Sequence, residues 1–264
     1  MGRIIDPWMQ HAIDNIKADY GVDVRMEYKN KDLLKFGRNR TVGTVAETIM
    51  ELPSGTNNET YLATNSITSI ISTSAADGEI VQIEGHTISG SDFTFVTQSA
   101  TLTGQTAVTL GTALARCTRI YNNDSTELAG VISATEADTY TAGVPDTDAG
   151  VHCQIRAGQQ QSDKAATTLS SVDYWVLTSY HGEVLTKASA FAEVLLEIRL
   201  SGKIFRAVST LACSNSNTGL VEFKPYFVVP PNSDIRLRAI SDTDAGSGRD
   251  VSGEIHGVLL KAGT

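Results

Sequence analysis

The stretch "FAEVLLEIRLSGKIFRAVSTL", residues 191–211, decides the fold class. Ala192, Val194, Leu196, Ile198 and Leu200 recur at every second position, with Glu193, Glu197 and Arg199 between them. A period of two belongs to a half-buried strand, because successive side chains leave opposite faces of a pleated backbone. Ser201-Gly202 then permits a tight hairpin into "KIFRAVSTL". The same alternation continues downstream. Val221, Phe223, Phe227 and Val229 are in phase, and Pro225 in that phase marks an edge strand. Ile235, Leu237 and Ala239 oppose Arg236 and Arg238, and Val251, Ile255 and Leu259 align in the last segment. Roughly six to eight antiparallel strands after residue 168 predict a sandwich or jelly roll.

Working backwards, "QQQSDKAATT" (159–168) reads as a linker. Before it, "SITSIIST" (66–73), "GEIVQIEGHTI" (78–88), "DFTFVTQSATLTG" (92–104), "TAVTL" (106–110) and "ALARCTRIYN" (113–122) read as short strands. "GVISA" (130–134) and "VHCQIRAG" (151–158) close this set around an acidic, turn-rich loop. Composition agrees: 30 Thr, 23 Ser and 22 Gly among 264 residues favour pleated strands and turns over helices. One segment is different. In "DPWMQHAIDNIKADYG" Asp6 is placed as N-cap, Pro7 as first helical residue and Gly21 as the stop. Trp8, Ala12, Ile16 and Tyr20, with Ile13 beside them, form one apolar stripe. A helix of about four turns must bury such a face on the body or on another subunit. "VDVRMEYKNKDLLKFGRNR" follows as an extended linker. The expected fold class is therefore all-β: two β-sandwich or jelly-roll-like domains preceded by an N-terminal helical arm. The divisions are 1–40 (helix and basic arm), 41–158 (first β domain) and 159–264 (C-terminal β-sandwich).

The formal net charge is −9, unevenly spread. Residues 1–40 carry eight basic and six acidic side chains, net +2, and the remainder carries thirteen and twenty-four, net −11. An acidic body argues against general nucleic-acid binding, which needs clustered Lys and Arg to release counterions. The basic arm reads either as a solvated tail or as a segment that docks on an acidic neighbour, another copy included. Cys117, Cys153 and Cys213 lack the spacing of a zinc site or a disulfide framework and are expected as three part-buried thiols in a reducing compartment. "MGRIIDPWMQ" has no long apolar run, so no secretory signal is expected, and no stretch reaches the length of a membrane span.

"KFGRNRTVGT" (35–44) has two glycines and three cations but lacks the G-x-x-x-x-G-K-[ST] order that lets backbone amides and a Lys hold phosphate; it reads as a hinge from arm to body. "DTDAG" occurs at 146–150 and 242–246 and reads as turns, with a weak calcium site the alternative. His11, His86, His152, His181 and His256 form no H-E-x-x-H or paired motif, so no metal is expected. Tyr174, Trp175 and Tyr180 anchor a core or an interface, or else stack on sugar rings. No G-x-S-x-G elbow or acid–base pair stands out, so no enzyme activity and no cofactor are expected.

"LLKFGRNRTVGTVAETI" resembles a stretch that leads into the first strand of tailed-phage virion proteins. "SATLTGQTAVTLGTALARCTRIYN" is similar to the strand pair and glycine-rich turn of the same proteins, and "FRAVSTLACSNSNTGLVEFKPYFVVPPNSDIRLRAI" to their final β-domain. The resemblance spans about residues 33–262 and leaves out the helical start. It implies a virion structural protein of the capsid decoration (cement) type, placed on the capsid surface after synthesis in the host cytoplasm. The implied partners are the major capsid protein and further copies of the chain, as a trimer, with neither nucleic acid nor membrane. The arm residues expected to make the contact are Trp8, Ile13, Ile16, Lys29, Lys31, Lys35, Arg38 and Arg40. Removal of residues 1–40 is then expected to leave a folded body that no longer binds particles. The alternative is a tail or fibre component that binds a host glycan through the Tyr174–Trp175–Tyr180 cluster.

Overall fold

The computed structural model describes residues 6–262 except 23, 26–31, 53–58, 186–189, 215–217 and 243–247. The chain begins with α1 (Pro7–Tyr20), β1 (Val24–Arg25), β2 (Asp32–Val42) and β3 (Glu47–Thr48). A second group follows: β4 (Ile67–Ser72), β5 (Ile80–Ser89), β6 (Asp92–Thr101), β7 (Val108–Leu114), β8 (Arg116–Asn122), β9 (Ile132–Glu136), β10 (Tyr140–Thr141), β11 (Val144–Pro145) and β12 (Val151–Ile155). The third comprises β13 (Ala166–Thr168), β14 (Asp173–Val184), β15 (Phe191–Arg199), β16 (Arg206–Ser214), β17 (Gly219–Val229), β18 (Asp234–Ser241) and β19 (Arg249–Ala262).

The protein is all-β, as the period-two pattern predicts, and its strands build two sandwiches. One pairs a sheet ordered β2-β19-β14-β17, with β1 at the end of β19, against a sheet ordered β13-β18-β15-β16, with β3 beside β18. The other stacks β12-β9-β4-β7 on β6-β5-β8. Each encloses its own apolar core, the first around Trp175, Tyr180, Leu196 and Leu237, the second around Ile70, Ile83, Leu114 and Ile120. Strands β2 and β3 lie in the same sandwich as β13–β19, so the β4–β12 sandwich is an insertion between β3 and β13. The sequence-based division, with an arm ending at residue 40, differs from this arrangement. The physical reason is pairing: β2 runs antiparallel to β19 from Asp32↔Val258 to Val42↔Arg249.

The strand β2 escaped the sequence reading because its inward positions are not apolar. Lys35, Gly37 and Asn39 face inward and are buried. Gly37 is required there: a Cβ would come within 2.1 Å of the Ile49 carbonyl oxygen and 2.3 Å of the Ala165 nitrogen. The glycine of "KFGRNR" therefore lets two sheets approach backbone to backbone, neither a phosphate loop nor a hinge. Asn39 donates to Glu47 Oε2 at 3.0 Å and to the Thr48 carbonyl at 3.3 Å, while its Oδ1 accepts from Thr41 N at 3.0 Å. The stretch 159–168 is no free linker either: Ala165 N donates to Ile49 O at 3.0 Å, Leu237 N to Ala165 O at 2.9 Å, and Ala165–Thr168 are buried.

Helix α1 is capped as expected. Asp6 accepts from Trp8 N and Met9 N, and Gly21 ends the helix in the left-handed region at φ 66°. Its buried face is Met9, Ala12 and Ile16, packed on Tyr174, Val176 and Leu260 of its own molecule. The i, i+3, i+7 spacing of these three turns Trp8 and Tyr20 outward, which corrects the Trp8–Tyr20 stripe. In β15 the even-numbered residues Ala192, Val194, Leu196 and Ile198 are buried as predicted, but the strand ends at Arg199 and leaves Leu200 exposed. The turn closes through Lys203 N to Leu200 O at 2.9 Å with Gly202 at φ 69°.

Trp175 and Tyr180 are fully buried and Tyr174 nearly so, which removes the surface that sugar stacking needs. The Trp175→Ala variant is expected to lose about 3–5 kcal/mol of stability in chemical denaturation. An unchanged midpoint would mean that Trp175 is no core residue.

Candidate functional site

Where the two sandwiches meet, the contact is charged and buried. Arg116, on β8 of the inserted sandwich, donates through Nε to Asp234 Oδ1 on β18 at 3.0 Å, and both side chains are only 3% exposed. The same carboxylate accepts from Thr168 Oγ1 at 2.6 Å and from the Arg199 guanidinium. Arg116 also donates to the carbonyls of Leu62 and Ala115 at 2.6 and 2.7 Å. Tyr61 and Phe205, ring centroids 4.7 Å apart, stack among these cations: Arg116 and Arg199 lie 4.9 and 4.4 Å from the Tyr61 centroid, Arg236 3.9 Å from Phe205. A second buried cation, Lys164, donates to Glu59 Oε1 at 2.8 Å and to the carbonyls of Cys117 and His152 at 2.7 and 2.8 Å. Arg116, Asp234, Lys164 and Glu59 are each paired with an opposite charge, the condition under which buried ions are tolerated, whereas the Tyr61 hydroxyl among them is buried without a hydrogen-bond partner.

Beside this junction a cleft of about 860 Å³ opens between β2, β13 and β14 on one side and β5, β6 and β8 on the other. Its apolar wall includes Leu33, Phe93, Phe95 and Leu259; its polar groups include Lys35, Glu84, His86, Lys164 and Asp173. The polar groups are incompletely satisfied. Asp173 Oδ1 and His86 Nδ1 are buried without a hydrogen-bond partner, although Asp173 Oδ2 accepts from Ser170 Oγ. Among the described residues no hydrogen bond or ion pair closes on Lys35. Burial pushes the Lys35 ammonium down to about 8, against the opposing pull of Glu84. Burial, helped by the charge of Lys35, pulls His86 down to about 3. Besides Lys35 and His86 the lining carries the basic side chains Arg119, Lys164 and Lys261 and the carboxyl side chains Glu84 and Asp173, so groups of both signs stand beside the apolar wall.

The residues expected to form a docking arm are dispersed. Ile16 is buried and Ile13 packs beside it under α1; only Trp8, 41% exposed, looks outward. Lys29 and Lys31 lie outside the described residues. Lys35 faces the cleft. Arg38 forms a two-pronged bond to Asp250 at 2.8 and 2.5 Å, and Arg40 bonds Glu51 at 3.1 Å, so both cations are neutralised within the molecule. Of the two "DTDAG" segments, the first follows the β10–β11 hairpin and contains a short 3₁₀ turn, Asp148–Gly150; its Asp146 accepts from Thr141 Oγ1 at 2.9 Å. The second falls mostly outside the described residues; its Asp242 accepts from Arg249 at 3.0 Å. All three cysteines are free and buried, and Cys117 and Cys153 are neighbours in the inserted core. Sequence reasoning missed the cleft, because its lining comes from strands far apart in the chain. It also missed a grouping of His181, Glu254 and His256 on one sheet face.

A different set of side chains is exposed and apolar. Leu200 (46%), Ile204 (74%) and Val208 (40%) sit at the turn end of the β15–β16 hairpin, and β16 is the outermost strand of its sheet. An edge strand bordered by apolar side chains offers both unpaired backbone groups and surface to bury.

No family model matches the chain, and no curated protein matches it. Among solved structures, the chain has a distant likeness to those of infectious bursal disease virus. The Gt strain structure is 14% identical with a TM-score of 0.22, over 97% of this chain and 77% of that one. The VP2 subviral particle is also 14% identical, with a TM-score of 0.23 over 97% and 77%. The T13 viral particle is 12% identical, with a TM-score of 0.26 over 98% and 78%. These are proteins of a non-phage virus, and TM-scores this low do not establish a shared fold. The functional reading rests on the chain's own residues.

Two outcomes follow from the junction and the cleft. Arg116→Met removes one of the two cations on Asp234, leaving Arg199 and Thr168 in place, and is expected to cost about 1–3 kcal/mol, measured by chemical denaturation. Lys35→Met is expected to stabilise the protein at pH 7 by on the order of 3 kcal/mol. Lys35 has a folded value near 8 against 10.5 unfolded, so its cost is present below pH 8 and relieved between pH 8 and 10.5. The advantage of the variant should therefore shrink across that window in denaturation curves taken at several pH values.

Proposed function

We propose that this chain is a virion structural protein of the capsid decoration type, which binds a shell and strengthens it without transforming a substrate. The observation that carries the reading is the exposed apolar hairpin end, Leu200, Ile204 and Val208, beside the outermost strand of its sheet. The sequence resemblance across residues 33–262 supports the same reading. The partners are the major capsid protein and other copies of the chain, as a trimer, and the location is the capsid surface. Full burial of such a side chain contributes about 1.5–3 kcal/mol per residue. Repetition around a shell turns contacts of that size into firm attachment.

The contact moves from the N-terminal arm to this hairpin. The helix spends its apolar face on its own sheet, and Arg38 and Arg40 spend their charges on Asp250 and Glu51. Deleting residues 1–40 would strip most of β2 from β19, so aggregation is the expected result of that truncation, not a clean loss of binding. The glycan-binding alternative loses its motive with the burial of Trp175 and Tyr180.

The double variant Ile204→Asp, Val208→Asp is expected to keep the melting temperature within a few degrees. It is expected to lose co-sedimentation with particles that lack the native protein. Occupancy equal to wild type would defeat the proposal.

A further inference from the structure

The outer face of the β19–β14 pair is covered by α1 at one end only. Tyr174, Val176, Val258 and Leu260 lie under the helix. Further along, the same face carries His181 on β14 and Glu254 and His256 on β19. Their orientation follows from the core: Tyr180 and Ile255 point inward, so the residues next to them point out. His181 stands directly across from Glu254, and His256 is two residues along the same strand. The cross-strand pair and the i, i+2 pair thus converge without any loop.

The three donor atoms lie within 4.8 Å of one another. Glu254 Oε2 is 3.1 Å from His256 Nε2 and 3.6 Å from His181 Nδ1. Ligands at about 2.0–2.1 Å around a tetrahedral ion stand about 3.3 Å apart, so two of the three separations are already those of a bound ion. The third closes by rotation of half-exposed side chains. Two imidazole nitrogens and one carboxylate oxygen suit a borderline divalent ion such as zinc and not calcium or magnesium, which demand six or more oxygens. Both imidazoles are aimed at the same carboxylate oxygen, and their ring centroids are 6.2 Å apart.

We propose that His181, Glu254 and His256 form a surface site for one divalent transition-metal ion of the zinc class, with the outward coordination position filled by water. The inference goes beyond the decoration reading and does not depend on it.

The test uses the full chain, free of any histidine tag and stripped with a chelator. Titration with Zn²⁺ in a calorimeter, and with Co²⁺ by visible absorption, is expected to give one ion per chain and a tetrahedral cobalt spectrum without a thiolate charge-transfer band. Zn²⁺ should also raise the melting temperature by mass action. His181→Ala, His256→Ala and Glu254→Gln are each expected to weaken binding at least about tenfold, or 1.4 kcal/mol. His11→Ala, on the exposed side of α1, should leave it unchanged. Melting curves without metal keep the comparison sound: Glu254→Gln preserves side-chain shape, so a folded variant remains even if an alanine variant is lost. No binding at micromolar Zn²⁺, binding that survives Glu254→Gln in the folded variant, or a cobalt–thiolate band would each overturn the proposal.

Discussion

A single carboxylate, that of Asp234, governs how the two halves of this molecule sit together. It is taken out of water on β18 and must be met by cations there, because an unpaired buried charge is among the costliest defects a protein can carry. One cation, Arg199, comes from the neighbouring strand. The other, Arg116, comes from the inserted sandwich. The inserted unit therefore completes the electrostatics of the sandwich that hosts it. Tyr61 and Phe205 lie between the guanidinium planes, adding quadrupole attraction and excluding water from the pair. The arrangement favours one relative placement of the sandwiches, since a shift of a few ångströms would break the Arg116–Asp234 pair and leave the buried Arg116 guanidinium without a carboxylate.

That placement creates the cleft. A chain whose strands leave one sandwich at β3, build another, and return at β13 must pass the junction twice. The returning segment is buried there, with Lys164 tied to Glu59 and to two backbone carbonyls. Just beyond the tied region, beside open volume, His86 Nδ1 and Asp173 Oδ1 are buried without a hydrogen-bond partner, and no hydrogen bond or ion pair among the described residues closes on Lys35. Natural structures seldom leave buried polar atoms unpaired. Lys164 is held by three acceptors, whereas burial pushes the Lys35 ammonium down to about 8; further unpartnered buried atoms, Tyr61 Oη and Trp175 Nε1, lie at the junction and in the core.

The remaining surface is consistent with a part that works by contact. The helix covers half of one sheet face and leaves the other half to His181, Glu254 and His256. The edge strand β16 ends in exposed Ile204 and Leu200, unlike the β2 edge, where Arg38 and Arg40 are engaged by acids of the same chain. Charged pairing blunts one edge, and apolar exposure leaves the other available.

The sequence by itself determined the secondary-structure class and most of the strands. Alternation in residues 191–211 and 235–239 is a local property, and burial of Val194, Leu196, Leu237 and Ala239 follows it directly. The N-cap and C-cap of α1 are equally local, each a hydrogen bond or a backbone angle within a few residues. Tertiary structure alone decided what these elements do. Strand β2 was illegible because its inward residues, Lys35, Gly37 and Asn39, are dictated by a cleft, a close backbone approach and a hydrogen-bond network, none of which leaves an apolar pattern. The insertion was illegible because strand pairing between β2 and β19 spans nearly the whole chain. The cleft and the histidine grouping were illegible for the same reason: cross-strand register, set by the packing of both sheets, brings together side chains that no spacing along the sequence connects.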